Sequence, residues 1–350
     1  LNGGGSWLLS AYGAASHRAW AAWLRAAQPE CGWHCLELPG RHFAWRIRGN
    51  PLSWLDSLPA TTPDLIVATS MVDLATLKGL HPRLAHVPAI YYFHENQFAY
   101  PRKAGQVRTL EPQMVQLYGA LAADRVLFNS RYNRDTFLDG VEDLLAQLPD
   151  AVPAGVRDRL ERRSAVLPVP IEPVPAAADR DPQLILWNHR WEYDKAPELF
   201  VRVLLDLAER GVRFRVALLG ARPTPAPPAL GALRTALGSR IVADGFLDRS
   251  AYRRLLGQAG IVVSTARHEF QGLAVLEAVS AGARPLVPDA LCYPEQYPDG
   301  CRYPPGDADA LAARLQRWLE GGLPPPVDVS AWFAGQLQAA WQQGLQALIT

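Results

Sequence analysis

The chain has 350 residues, 49% of them hydrophobic and 20% charged, with a formal net charge of +1. That length suggests two domains, and the composition is that of an ordinary soluble globular protein. The charge balance excludes a global field directed at nucleic acid or membrane and leaves only local basic patches. No apolar run approaches the ~20 residues that span a bilayer, so a cytoplasmic protein without a membrane span is expected.

The opening "LNGGGS" lacks an initiator Met and a signal-peptide pattern, and residues 1–6 are expected to be a cloning scar outside the fold. "WLLSAY" (7–12) reads as a strand and "SHRAWAAWLRAAQ" (16–28) as a helix with Ser16 as its N-cap. Gly13, Ser16 and His17 then lie at a strand-to-helix turn. Cys31 and Cys35 flank "GWH" at the start of the next strand, too far apart to chelate one ion. With Cys292 and Cys301 they read as reduced cysteines.

"RHFAWRIRG" (41–49) interleaves Arg41, Arg46 and Arg48 with His42, Phe43 and Trp45. The pattern suits phosphate contact and base stacking on RNA. The alternative is an amphipathic strand with solvated arginines. "DLIVAT", "AIYYF" and "RVLFNS" continue as strands, with helical patterns in "QVRTLEPQMVQLYGALAA" and "RYNRDTFLDGVEDLLAQL" between and after them. In "YYFHENQFAY", His94, Glu95, Asn96 and Gln97 place four polar groups in a row at the end of an apolar strand, and Arg102, Lys103 and Arg108 add cations after them. No HExxH spacing accompanies His94, so zinc is not indicated.

"LPVPIEPVPAAADRDP" is proline-rich and without period, the texture of a linker. A second α/β series follows: "QLILWN", a helix from about Pro197 to Arg210, "FRVALLG", "RIVADGF", a helix near 250–258, "GIVVSTA", a helix from Gln271–Gly272, and "RPLVPD". Prolines at 324–326 interrupt the chain before a last helix over about Trp332–Leu348. Alternating strands and helices predict α/β architecture. The expected layout is a Rossmann-like domain over 7–170, a linker over 171–182, and a second Rossmann-like domain over 183–325. Residues 326–350 would hold a helix crossing back to the first domain. In such folds ligands sit outside the carboxyl ends of the strands, here in the cleft between two facing domains.

In the second domain, Glu269 ends the strand "GIVVST" and Glu277 lies eight positions on, within the helix. At ~1.5 Å per residue the two stand about 12 Å apart. That is too far to flank one glycosidic bond as hydrolase carboxylates do. It suits the two ends of a nucleoside diphosphate sugar, with sugar hydroxyls at one carboxylate and ribose hydroxyls at the other. Between them, backbone N–H groups of Gln271, Gly272 and Leu273 are offered to the diphosphate, and Gly272 permits close approach. Arg190 and Lys195, on the loop after "QLILWN", are suited to a leaving group whose charge grows as the sugar bond breaks. Taken singly, Glu277 could equally be a paired structural carboxylate and the two cations surface charges; their shared place at strand ends of one domain favours the site. The pairs Asp179/Asp181 and Asp307/Asp309 fall in the linker and at a helix start, so a metal-independent transferase with no cofactor is expected.

"EFQGLAVLE" resembles the Glu-x7-Glu motif of retaining GT-B glycosyltransferases, and Arg190 with Lys195 resembles their Arg…Lys diphosphate clamp. The resemblance narrows through "YYFHENQFAYP", "VLFNS", "NHRWEYDKAPELF", "STARHEFQGLAVLEA" and "YPEQYP" to the tRNA-queuosine α-mannosyltransferase family, over nearly the whole chain. It implies the GT-B fold, a GDP-mannose donor and the queuosine nucleoside of tRNA-Asp as acceptor. It implies catalytic roles for His94, Arg190, Lys195 and Glu269, with His94 near the reacting sugar. Together with the residue readings above, donor contacts are expected to add Gly13, Ser16, His17, Gln271, Gly272, Leu273 and Glu277, and acceptor contacts to be Glu95, Asn96 and Gln97, by the resemblance, and Arg41, Trp45, Arg46 and Arg48, by the arginine–aromatic pattern. Where many GT-B enzymes open the first loop with Gly-Gly, this chain has Gly13, Ala14 and Ala15. Two other readings remain at this level: a GT-B transferase with a glycan or small-molecule acceptor, and a nucleotide-sugar or RNA-binding protein without turnover. A dinucleotide oxidoreductase lacks its G-x-G-x-x-G.

Overall fold

The computed structural model describes residues 4–100, 109–223 and 228–348. Contacts divide the chain into two units, Leu1–Pro170 with Gly335–Thr350, and Ile171–Ala334.

In the first unit six parallel strands, β1 (Ser6–Gly13), β2 (Trp33–Pro39), β3 (Leu65–Thr69), β4 (Ala89–Phe93), β5 (Arg125–Phe128) and β6 (Ser164–Val166), stand in the order β2-β1-β3-β4-β5-β6. β3 and β4 are buried at every residue, as unbroken apolar runs in a parallel sheet covered on both faces should be. Helices α1 (Ala15–Ala27), α2 (Phe43–Ser53), α3 (Leu74–Leu80), α4 (Glu111–Leu121), α5 (Arg131–Ala146) and α6 (Val156–Glu161) connect them. Strand order reverses between β1 and β3, so the loops after these strands border the switch point where such sheets bind ligands.

The second unit has β7 (Asp181–Trp187), β8 (Arg215–Leu219), β9 (Ile241–Gly245), β10 (Ala259–Val263), β11 (Arg284–Pro288) and β12 (Arg302–Tyr303), ordered β12-β11-β10-β7-β8-β9. This is the doubly wound dinucleotide-fold order, with its switch point between β7 and β10. Helices α7 (Pro197–Glu209), α8 (Pro228–Leu237), α9 (Arg249–Gln258), α10 (Leu273–Ser280) and α11 (Ala308–Arg317) complete it. The last helix, α12 (Ala334–Gln346), packs within the first unit. There Trp341 lies 5.0 Å from the Tyr92 ring and 5.6 Å from Trp20, and its indole N–H donates to Pro168 O at 3.1 Å.

Several sequence expectations change. Ser6 is not part of a scar: it is buried in β1, paired with Trp33 and Leu65, and Gly5 O accepts from Asp64 N at 2.7 Å. Ser16 does not cap α1; Ala14 holds that position without a side-chain bond, and Ser16 is exposed in the first turn. The stretch 43–49 is helix α2 rather than a strand, since Asn50 donates to the Arg46 and Ile47 carbonyls and to Met71 O, anchoring the helix in the fold. The linker ends earlier than expected, because Asp181 already opens β7, where its carboxylate pairs with Arg215. Residues 326–334 group with the second unit, since Ile171 N and O bond to Trp332 O and Ala334 N. All four cysteines are free. Arg102, Lys103 and Arg108 lie outside the described residues.

Candidate active site

The second unit gathers charge at its switch point. β7 ends at Trp187, whose indole N–H donates to Thr265 Oγ1 at 3.1 Å just beyond β10. Thr265 in turn donates to Lys195 O at 2.7 Å. A single helical turn over Tyr193–Lys195 and a left-handed Ala196 then aim Lys195 inward. Its ammonium donates to His268 O at 2.7 Å and Glu269 Oε2 at 3.1 Å and lies 3.3 Å from Asp194 Oδ2. All three ammonium protons therefore have acceptors. Burial would lower the Lys195 pKa, but the Glu269 and Asp194 carboxylates outweigh it and hold it above the ordinary value.

Glu269 is the counterpart. Its side chain is 21% exposed. Burial pushes its carboxyl up; Lys195, His189, the Gly272 N–H and the Lys195 hydrogen bond together bring it down to about 2. Phe270 N donates to Glu269 Oε1 at 3.1 Å and Gln271 N lies 3.5 Å away. The N–H groups of Gln271 and Gly272, expected to meet a diphosphate, thus turn to Glu269 instead. A carboxylate at a helix N-terminus is favoured by the aligned peptide dipoles. Gly272 caps α10 at φ +64°, and a Cβ there would stand 3.0 Å from Tyr293 Cε1. Gln271 is buried, its carbonyl accepting from Gln296 Nε2 at 2.6 Å, while Leu273 begins α10 half-buried. The "YPEQYP" segment is therefore the support beneath this helix start.

Arg190 is exposed and pairs with Glu192 at 2.9 Å, so of the two expected cations it is the accessible one. Glu277, a turn into α10, does not meet Glu269 or its partners. Its Oε2 accepts from Tyr252 Oη of α9 at 3.1 Å. Burial raises its pKa, with the Tyr252 bond, Arg253 and Arg249 opposing.

In the first unit, His17 and His94 stack face to face with ring centroids 4.1 Å apart. Trp20 and Tyr92 meet His94 edge-on at 4.7 and 4.8 Å. Burial lowers the His17 pKa to about 4, against the raising effect of its bond to Tyr12 O, and burial with His17 beside it holds His94 well below the usual range. Both imidazoles are neutral at pH 7, and His94 Nε2 has no partner among the described residues. Gly13 packs against Glu37, which leaves no space for a Cβ, and its carbonyl accepts from Arg18.

The neighbours of His94 divide. Asn96 is wholly buried and fully used: Nδ2 donates to Asn133 O, Asn133 Oδ1 and Thr136 Oγ1, and Oδ1 accepts from Phe98 N and Ala99 N. It bolts the loop to α5, so the expectation of an acceptor contact gives way to a structural role. Glu95 is half-buried, its carbonyl bonded to Ser70 Oγ at 3.0 Å. Gln97 anchors by its N–H to Gln116 Oε1 at 2.7 Å, while its own Nε2 is without a partner among the described residues. Arg41, in the loop before α2, and Trp45 on it are exposed, Trp45 at 51%. Arg46 reaches Ser53 Oγ at 3.4 Å, and Arg48, itself exposed, is paired with buried Asp73, the cap of α3.

Sequence reasoning missed Asp194, His189, Tyr252 and Asn188. His189 is buried, with a pKa near 4 set by burial and Lys195, and Nε2 has no partner among the described residues. Its position beside Arg190 on a βα loop was the available signal; Tyr252, inside a helix, offered none. Among the described residues no three His, Cys, Asp or Glu side chains are grouped to hold a metal ion, and no helix is long and apolar enough to cross a membrane.

Comparison with known proteins places this geometry. Residues 6–171 match the family profile described as tRNA-queuosine alpha-mannosyltransferase N-terminal, and residues 170–328 match glycosyl transferases group 1. The chain is 38% identical over 294 residues to the tRNA-queuosine alpha-mannosyltransferase of Drosophila melanogaster, covering 80% of this chain and 78% of that one. The chain belongs to the tRNA-queuosine α-mannosyltransferase family. It is therefore a glycosyltransferase. Solved structures agree on the fold alone. Sucrose-phosphate synthase from Thermosynechococcus elongatus superposes with TM-score 0.70 at 15% identity, over 99% of this chain and 95% of that one. The apo lipopolysaccharide outer core galactosyltransferase WaaB superposes with TM-score 0.67 at 11% identity, over 98% and 99%. This family member thus has the GT-B fold, with Lys195 and Glu269 joined across the switch point of its second unit.

Proposed function

We propose that the protein transfers mannose from GDP-mannose to the queuosine nucleoside of tRNA-Asp, with retention at the anomeric carbon and without a metal ion. The observation that carries this reading is the 38% identity, over 80% of the chain, to a relative named tRNA-queuosine alpha-mannosyltransferase. The donor site supports it chemically. Glu269, ionised at any physiological pH, accepts hydrogen bonds from mannose hydroxyls, and Glu277 accepts them from the ribose. Arg190 and Lys195 bear on the diphosphate. Because the Lys195 protons are all occupied, the phosphate replaces one carboxylate partner, and that exchange frees Glu269 for the sugar.

In the reaction the bond from the anomeric carbon to the diphosphate oxygen breaks as a queuosine hydroxyl bonds to the same face. The hydroxyl proton passes to the departing phosphate, whose negative charge the cations stabilise. Neutral His94, its Nε2 without a partner among the described residues, is suited to hydrogen-bonding a sugar. Arg41 before α2, Trp45 and Arg46 on it, and Glu95 and Gln97 are assigned to the acceptor RNA.

The test is transfer of labelled mannose from GDP-mannose to tRNA-Asp with and without queuosine, in the presence of EDTA. Label on the queuosine form alone supports donor, acceptor and metal independence together. Label that EDTA abolishes removes the metal-free mechanism. Absence of label with GDP-mannose binding intact refutes the acceptor and directs the search to glycans and small molecules.

A further inference from the structure

Glu277 is one end of a chain of hydrogen bonds that joins three elements of the second unit. Asn188 is the first residue after β7 and is buried. Its Nδ2 donates to Ala274 O, in the first turn of α10, at 2.8 Å, and to Tyr252 Oη at 3.1 Å. The Ala274 carbonyl can only accept, so the amide nitrogen must face it, and this fixes which way the Asn188 amide points. Its second proton then lies against the tyrosine oxygen. Tyr252 is left with one proton, and the acceptor within reach is Glu277 Oε2 at 3.1 Å. The direction of every bond is set: Asn188 to Tyr252 to Glu277. One carboxylate oxygen of Glu277 is held by a donor that cannot turn away, while Oε1 carries no protein hydrogen bond among the described residues.

We propose that Tyr252, oriented by Asn188, is the positioning residue that presents Glu277 to the donor ribose and so sets preference for a nucleotide with both ribose hydroxyls. The proposal rests on the reading of Glu277 as the ribose-binding carboxylate. Tyr252 spends Oε2 and leaves Oε1 aimed; it also favours the ionised acceptor against burial, which opposes it. Without the hydroxyl the carboxylate rotates freely and protonates more readily, and the hydroxyl preference weakens.

The test compares binding of GDP and of 2′,3′-dideoxy-GDP to the full chain, as wild type, Tyr252→Phe and Glu277→Gln. The wild type should prefer GDP by about tenfold or more, the value of one charge-assisted hydrogen bond. In Tyr252→Phe the preference should fall to within about threefold. The acid limb of kcat/KM for the donor should also move to higher pH, a change that a purely structural role would not produce. A wild-type preference retained in Tyr252→Phe but lost in Glu277→Gln overturns the role of Tyr252 and leaves Glu277 in place. A preference retained in Glu277→Gln overturns the ribose reading itself. Should Tyr252→Phe fail to fold, Asn188→Ala serves: it releases the tyrosine hydroxyl to turn, and an undiminished preference there refutes the proposal.

Discussion

Lys195→Met is the most informative perturbation of the donor site. The substitution keeps the length of the side chain and removes the cation shared by Asp194 and Glu269. Removing one partner of a buried ion pair costs about 3–5 kcal/mol, because the remaining charge stays buried without compensation. Here two carboxylates are stranded, one with a side chain only 2% exposed, but Glu269 is 21% exposed and can be partly rehydrated. The lower end, about 3 kcal/mol, is the better expectation. For a unit of about 160 residues that lowers the melting temperature by roughly 6–12 °C. The sign with pH follows from the depressed carboxyl. Glu269 falls to about 2 in the folded protein, so its contribution is complete above its unfolded pKa, near 4.3, and is lost as pH drops through 2. In the variant the charge and hydrogen bond of Lys195 are gone and only His189 and the Gly272 N–H still oppose burial, so the Glu269 pKa lies higher than in the wild type and the variant gains protons sooner. Calorimetric melts of wild type, Lys195→Met, Glu269→Gln and the double variant at pH 7 and pH 4 check this. The wild-type advantage over Lys195→Met should be wide at pH 7 and narrower at pH 4, and the cycle should show coupling of at least ~1 kcal/mol. A melting temperature within 2 °C of wild type at pH 7, or a gap indifferent to pH, would refute the electrostatic account.

Asn96→Ala removes the side-chain acceptor of two part-buried backbone N–H groups and the amide donor to Asn133 and Thr136, and should destabilise the first unit by about 3 kcal/mol in chemical denaturation. A normal midpoint with a raised acceptor KM would return Asn96 to the binding set. Gly272→Ala forces a side chain into the left-handed region, at about 1–2 kcal/mol, against Tyr293. Donor KM should rise severalfold while tRNA affinity is unchanged; equal effects on both would count against a local role. His17, with its pKa near 4 in the folded state, contributes stability present above about pH 6.5 and lost as pH falls toward 4. Urea titrations of wild type and His17→Asn across that window should show a shallower pH dependence in the variant.

The sequence by itself set out the order of strands and helices. Buried parallel strands are unbroken apolar runs and leave a strong signal, as in "DLIVAT" and "GIVVST". Chemistry-bearing residues at strand ends were visible for the same reason: a polar cluster such as His94–Gln97 or Arg190–Lys195 interrupts an apolar pattern. Sequence spacing also separated Glu269 from Glu277, and the structure gives them different partners.

Tertiary structure decided what each polar group does. Asn96 and Gln97 are adjacent and alike in chemistry, yet one is consumed by α5 and the other keeps an amide nitrogen without a partner among the described residues. Arg48 and Arg41 look equivalent in "RHFAWRIRG", but Asp73 claims the first. Helix α2 competed with a strand reading because its stabilising bond runs from Asn50 to Met71 O, outside any local pattern. The bond from Lys195 to Glu269 spans 74 positions, and it exists because the strand order sets β7 beside β10. Local composition records which residues are polar and where an element begins. Whether a polar group is free or already satisfied depends on partners brought from elsewhere in the chain, and only the packed sheet supplies them.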